Sequence, residues 1–173
     1  MKPVDSFLTA ISSVLPADQI RTDLETRDHY GQDWSNSLKP NAKAILFPRT
    51  TSEVSVILKT ASAHEQPVIP SGGRTGLSGG AVATQNEVVI SLEKMNAIGK
   101  VDVGSLTVHV EAGAITQAVH EACAPFGLTW PVDFASKGSS QVGGNIATNA
   151  GGVRVIRYGS TRNWVLGLTA VTM

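Results

Sequence analysis

The sequence predicts an α+β fold, and three observations predict it. Short apolar runs at Ala44–Phe47, Pro67–Pro70 and Glu87–Leu92 have the length and composition of strands. A helical apolar period, Val54, Ile57, Leu58 and Ala61, lies between the first two. Two glycine-rich blocks, 70–81 and 137–154, each follow an apolar run and each hold five of the 17 glycines. At 173 residues with 42% hydrophobic content, the chain is long enough to enclose a core.

In chain order, Phe7, Leu8, Ile11, Val14 and Leu15 give an amphipathic helix over Ser6–Leu15 that Pro16 ends and that packs on the domain from outside. Residues 18–41 are polar, with Tyr30 and Trp34 as scattered aromatics, and read as an irregular lead-in in which His29 is a surface residue. Ala44–Phe47 is a strand stopped by Pro48. Thr50 and Glu53 then form a capping box for a helix over Ser52–Ala63. Pro67–Pro70 returns as a strand, so a βαβ unit delivers the first glycine block at a strand's carboxyl end, where α/β folds bind ligands.

Glu87–Leu92 reads as a buried strand. Lys100–Glu111 reads as a hairpin around Gly104–Ser105, with Val101 and Val103 answering Leu106, Val108 and Val110. Ile115–Ala124 is helical, with Ile115, Val119 and Ala122 on one face and Gly127 as terminator. His109 and His120 show no metal-binding spacing and are structural. Leu128–Val132 reads as a strand. Ser139 and Ser140 then cap a short helix through Ile146, its N-terminus facing an anion, with Asn145, Thr148 and Asn149 as further donors. Trp164–Met173 is strand-like to its last residue, and domains seldom stop inside a buried strand, so the chain reads as cut short.

A loop with this many glycines can take positive φ and admit a ligand close to its backbone. In 70–81, backbone N–H groups with the Thr75 and Ser78 hydroxyls form an anion cradle. A flexible turn has the same composition. The second block favours the cradle, because two such loops suit an elongated diphosphate. Neither a G-x-G-x-x-G fingerprint nor a P-loop occurs.

Lysine plus arginine equal aspartate plus glutamate at 14 each, which leaves no basic field for nucleic acid. No transmembrane segment or leader stands out, so a cytoplasmic location is expected. Cys123 is the only cysteine, so neither an intrachain disulfide nor a cysteine metal cluster can form, and it reads as a small buried hydrophobe.

The loop 70–81, with Pro131–Asp133, Gly138–Ser140, Gly143–Gly152 and Arg157–Gly159, closely resembles the FAD-binding domain of the vanillyl-alcohol oxidase and p-cresol methylhydroxylase flavoproteins. The nearest branch is that of the D-2-hydroxyacid dehydrogenases. The resemblance runs from about Tyr30 to Met173. It implies a two-subdomain FAD-binding fold, truncated at the C-terminus, with subdomains of about 42–92 and 93–173 after an N-terminal lead-in of 1–41, and with no substrate domain.

By the same resemblance, Pro70, Ser71, Gly72, Gly73, Arg74, Thr75, Gly76, Leu77, Gly79, Gly80 and Ala81 wrap the FAD diphosphate. Pro131, Asp133, Gly138, Ser139, Ser140, Gly143, Gly144, Asn145, Thr148 and Gly151 line the cleft toward the ribityl chain and isoalloxazine. The first loop lacks the His, Cys or Tyr that attaches flavin in covalent members, which implies non-covalent FAD. The implied activity is oxidation of a D-2-hydroxyacid to the 2-oxoacid, with the electron acceptor unspecified. The relatives' catalytic residues lie mostly beyond this chain, so no catalytic residue and no metal ligand is assigned. A second polypeptide carrying the substrate domain is a possible partner. The alternatives are a non-catalytic nucleotide-binding or interaction module and an inactive truncated product.

Overall fold

A computed structural model describes residues 5–173. The chain divides into two compact units, one running up to Lys94 together with Thr169–Met173, the other Met95–Leu168.

The first unit is built on a four-stranded mixed sheet in the order β1 (Ile20–Arg21), β2 (Ala44–Leu46), β4 (Val88–Ser91), β3 (Val68–Ser71). β2 and β3 both run parallel to β4, and β1 is antiparallel to β2. Side chains alternate across this sheet. Leu46, Val88 and Ile90 meet Phe7, Ile11 and Leu15 and the helix residues Ile57 and Ala61 on one face. Ile45 and Val89 meet Ala42, Phe47 and Ala83 on the other, with Tyr30 and Ile69 beside them. With both faces covered, β2 and β4 are buried along their whole length. Pro70, which has no N–H to donate, falls on the edge strand, where a sheet tolerates it.

The first helix, α1, spans Ser6–Ser12 and is capped by Asp5, whose carboxylate accepts from Leu8 N–H at 3.0 Å. Phe7, Ile11 and Leu15 are buried as expected, but Val14 lies in the turn beyond the helix and is exposed. Residues 18–41 are more ordered than their composition suggests. They supply β1 and a helix, α2 (Leu24–Tyr30), whose N-cap Asp23 accepts from Thr26 N–H. Helix α3 spans Thr51–Ala63. Thr50 Oγ1 accepts from Glu53 N–H at 3.1 Å, while the Glu53 carboxylate reaches back to Arg49 N–H, one residue beyond the reciprocal bond of a capping box, and to Gln19 Nε2.

The second unit encloses Val101, Ala114, Val119, Cys123 and Val142, with Val108, Val110, Leu128, Trp130 and Ile146 packed around them. The hairpin forms, with Asp102 opposite Thr107 and Ile98 opposite Val110, and the Asp102 carboxylate accepts from Gly104 and Ser105 N–H in the turn. Val103 and Leu106 do not face each other in a ladder. They occupy the turn and are exposed. Helix α4 spans Thr116–Cys123 and passes through a 3-10 turn to Gly127 at φ 67°, the left-handed terminator expected there.

Three expectations fail in this part of the chain. Leu128–Val132 forms no strand among the described residues. Trp130 packs on the core instead, and the Val132 carbonyl lies 2.9 Å from His120 Nε2. Ser139 and Ser140 do not cap the next helix, α5 (Val142–Ala147), which starts from Gln141 without a side-chain cap, because the Ser140 hydroxyl is buried against Thr116 Oγ1 at 2.7 Å. Trp164–Met173 is not a strand either. Thr161–Trp164 is a 3-10 turn after α6 (Val155–Tyr158), and 165–173 has no ladder. Apolar content supplied the expectation in the first and third cases, but a strand also needs an edge to pair with.

Candidate functional site

In the first unit, the glycine loop leaves the carboxyl end of β3. Pro70 is exposed and Ser71 buried. Gly72, Gly73, Arg74, Thr75, Gly79 and Ala81 are half-buried, whereas Gly76, Leu77, Ser78 and Gly80 are exposed. Two residues have left-handed backbone, Gly79 at φ 77° and Arg74 at φ 56°. For Arg74 that conformation is uncommon and needs support from its surroundings. Its guanidinium lies 4.4 Å from the centroid of the Tyr30 ring, and Nη2 is 3.0 Å from His29 Nε2. Tyr30 in turn donates its hydroxyl to Glu93 at 2.8 Å, and burial, then this carboxylate, push its phenol above the ordinary value.

Asp33 holds the far side of the loop. It is 4% exposed, accepts from Gly79 N–H at 2.8 Å, and takes both the N–H and the hydroxyl of Ser35 on its other oxygen. Burial pushes its carboxyl upward, but the Ser35 hydroxyl and the backbone donors outweigh that and leave it below the usual carboxylate value. Trp34 N–H donates to the Gly76 carbonyl at 3.1 Å. The Gly79 N–H therefore points at Asp33 and is not available to an anion.

A Cβ added at Gly76 or Gly80 would meet nothing within 4 Å, and neither has positive φ. The fold itself does not require glycine at these two positions, which leaves an open backbone that a bulky ligand can approach closely. The Ser71 hydroxyl at the start of the loop, and that of its register partner Ser91, are buried without a hydrogen-bond partner.

The second block belongs to the Met95–Leu168 unit. Pro131 is buried and Asp133 half-buried. The Asp133 carboxylate takes Lys137 Nζ at 2.8 Å on one oxygen and Arg154 Nη2 at 3.3 Å on the other. The Lys137 hydrogen bond is the main reason its carboxyl is held below the usual range. Gly138 and Ser139 are exposed. Ser140 and Asn145 are buried and share Thr116, to whose hydroxyl Asn145 Nδ2 donates at 2.7 Å. Thr148 donates to the Gly144 carbonyl, and Asn149 accepts from Arg162 N–H. Gly151 is half-buried. Gly144, like Gly76, is open, with nothing within 4 Å of an added Cβ.

Sequence reasoning missed the part played by His29, Tyr30, Asp33 and Trp34, which fasten the first loop from outside the glycine-rich blocks. Among the described residues, no group of three or more His, Cys, Asp or Glu could hold a metal, and no helix is long and apolar enough to cross a membrane.

A mixed sheet that sends a glycine loop off its edge strand, followed by a second unit carrying another glycine block, is the fold of the p-cresol methylhydroxylase type. The chain belongs to the FAD binding domain family, which it matches over residues 42–173, and FAD is its cofactor. The open positions at Gly76, Gly80 and Gly144 fit that group. The chain is 48% identical over 168 residues to D-2-hydroxyglutarate dehydrogenase of Xanthomonas citri pv. viticola, covering 97% of this chain and 36% of that protein. It is 38% identical over 164 residues to the mitochondrial D-2-hydroxyglutarate dehydrogenase of Bos taurus, covering 95% and 30% respectively. It thus spans about a third of the length of these curated relatives.

Among solved structures, alkyldihydroxyacetonephosphate synthase superposes with a TM-score of 0.84 at 21% identity, covering 95% of this chain and 32% of that one. Substrate-bound p-cresol methylhydroxylase gives 0.71 at 17%, covering 84% and 29%. At these identities the likeness shows a shared fold.

Proposed function

We propose that this chain is the FAD-binding part of a flavin-dependent dehydrogenase that oxidises a D-2-hydroxyacid to the 2-oxoacid, with D-2-hydroxyglutarate as the favoured substrate. The observation that carries this reading is the 48% identity to a D-2-hydroxyglutarate dehydrogenase over almost the whole chain. Bound FAD supplies the two-electron acceptor, and the protein supplies binding and orientation.

In this reading the loop 70–81 receives the diphosphate. Gly76 and Gly80 let it approach the backbone, and Thr75 and Ser78 donate hydroxyls. The second block, with Pro131, Gly138, Ser139, Gly144, Thr148 and Gly151, faces the remainder of the flavin, and Gly143 serves the packing against Ala112. The Asp133 carboxylate holds Lys137 and Arg154 in place. No His, Cys or Tyr stands in the first loop, which supports non-covalent FAD. The location we assign is cytoplasmic.

Groups that bind the hydroxyacid are assigned to polypeptide beyond the matched third, in the same chain or a second one. The test is complementation. The chain is mixed with FAD and with the segment of the Xanthomonas relative beyond its matched region, and dye reduction is followed with D- and L-2-hydroxyglutarate. Turnover of the D acid only with both components supports the reading. FAD binding without reduction under any combination makes this a non-catalytic flavin-binding module.

A further inference from the structure

The segment 29–35 touches the first glycine loop at three points and belongs to neither glycine block. Its first contact is at Arg74, where His29 and Tyr30 hold a side chain whose backbone is left-handed. The second is Trp34 N–H on the Gly76 carbonyl. The third is the buried Asp33 carboxylate on Gly79 N–H, at a residue that also has positive φ. The two residues of the loop with left-handed backbone, Arg74 and Gly79, are therefore both among the three that this segment grips. Between them lies Gly76, open to any ligand that approaches the backbone.

We infer that 29–35 is a strap that holds the glycine loop in its ligand-receiving shape before FAD arrives, with Asp33 as its positioning residue. This rests on the assignment of loop 70–81 to the FAD diphosphate. A loop of this composition has many conformations in the absence of restraint, and a ligand that must order it binds more weakly than one that meets it preformed. Asp33 suits the task because both its oxygens accept. One oxygen is fixed by Ser35, so the other is aimed at Gly79. Asparagine cannot do the same. Whichever way its amide faces, an NH2 group is set against an N–H or hydroxyl donor, and one arm opens. The carboxylate takes up a loop amide and is itself anionic, so it contributes through the shape of the loop and not through attraction for a diphosphate.

The experiment uses Asp33→Asn in this chain, with FAD affinity measured by quenching of flavin fluorescence and backbone order by amide hydrogen exchange without ligand. The expected result is FAD binding weakened about tenfold, the effect of losing one charge-assisted hydrogen bond. The Gly79 amide should exchange faster while those of Val88–Ser91 keep wild-type protection. A residue that merely stabilised the unit would speed exchange in β4 and the loop together, and that outcome overturns the inference. So does an affinity within twofold of wild type. If Asp33→Asn does not fold, Ser35→Ala removes one of the three donors to the same carboxylate. It should give the same pattern in weaker form, and unchanged loop exchange in that variant overturns the inference. A wild-type chain that binds no FAD overturns the diphosphate assignment and with it the affinity claim, whereas the exchange data still decide whether Asp33 orders the loop.

Discussion

Gly143 packs against Ala112 so closely that a Cβ added to it would lie 2.8 Å from the Ala112 Cβ, whereas its neighbour Gly144 would meet nothing within 4 Å. The two adjacent glycines thus differ, the fold requiring the first and leaving the second open. Gly143→Ala is expected to destabilise the folded chain by about 1–3 kcal/mol through overpacking. Gly144→Ala, inside helix α5, is expected to stabilise it by about 0.5–1 kcal/mol, because glycine is a poor helix residue. The same Gly144→Ala should weaken FAD binding, and Gly144→Val should abolish it. Urea unfolding and flavin titration on the two variants separate these effects. Equal destabilisation by both alanines would refute the distinction.

FAD, and not NAD or ATP, should raise the melting temperature. A ligand that binds only the folded state stabilises it by mass action, and at 100 times its Kd the gain is about 2.7 kcal/mol. A thermal shift with NAD and none with FAD would remove the flavin assignment of both glycine blocks.

Ser71 and Ser91 are opposite each other in the β3–β4 register, and both hydroxyls are buried without a partner. An unpaired buried hydroxyl costs about 1–3 kcal/mol of desolvation. Ser91→Ala should therefore raise stability in urea by up to about that amount with no change in FAD affinity. Destabilisation by Ser91→Ala would mean that its hydroxyl has a partner in solution.

The βαβ part of the first unit was legible because its signals are redundant. Val54, Ile57, Leu58 and Ala61 repeat with helical spacing, Thr50 supplies a cap, and the strands either side are short apolar runs. β1 was not legible, since a two-residue strand carries no periodicity and its place depends on pairing with Ile45 and Leu46. α2 has no buried residue and so no apolar face to detect, although Asp23 three residues before Thr26 was an available cap signal. Asp33 left no trace in the sequence. One carboxylate in a polar lead-in resembles any other until the fold brings it to Gly79. In the second unit, Ser140 reads as a helix cap and Asn145 as a donor to an anion, yet Thr116 draws both into the interior.

Acid sensitivity follows from the aspartates. Asp133 is held below the ordinary carboxylate value by Lys137, and Asp23 is lowered to about 2, chiefly by Thr26. A carboxyl whose folded-state value is depressed stabilises the fold fully above its unfolded value of about 3.9, and that contribution disappears as the pH falls through the folded value. Stability should therefore be level from neutral pH to about 4.5 and decline below about 4. Asp133→Asn should cost about 1 kcal/mol at pH 7, discounted because both cations are partly exposed. The gap between variant and wild type should narrow as the pH approaches 2. A gap that widens on acidification would contradict the sign of the Asp133 shift.

Association of this chain with itself should run through side chains of the second unit and not through a strand edge. The sequence reads as strand-like over 164–173, and an unpaired strand there would offer free backbone groups to another chain. No such strand forms among the described residues. Instead, Ile156 is 99% exposed, Leu166 83% and Val153 81%, within the stretch 153–168 that also exposes Leu168 and Trp164. Large apolar side chains exposed to this degree are disfavoured by water, and a protein contact that covers them is favoured. Sedimentation velocity on the wild-type chain should show concentration-dependent self-association. The double variant Ile156→Glu with Leu166→Glu should shift it to monomer. Val103→Glu, at an apolar position 50% exposed in the hairpin turn, should leave association unchanged. If the double variant sediments like wild type, these side chains are not the contact. If Val103→Glu disrupts association as strongly, the attraction is spread over the apolar surface of the unit and has no address in 153–168.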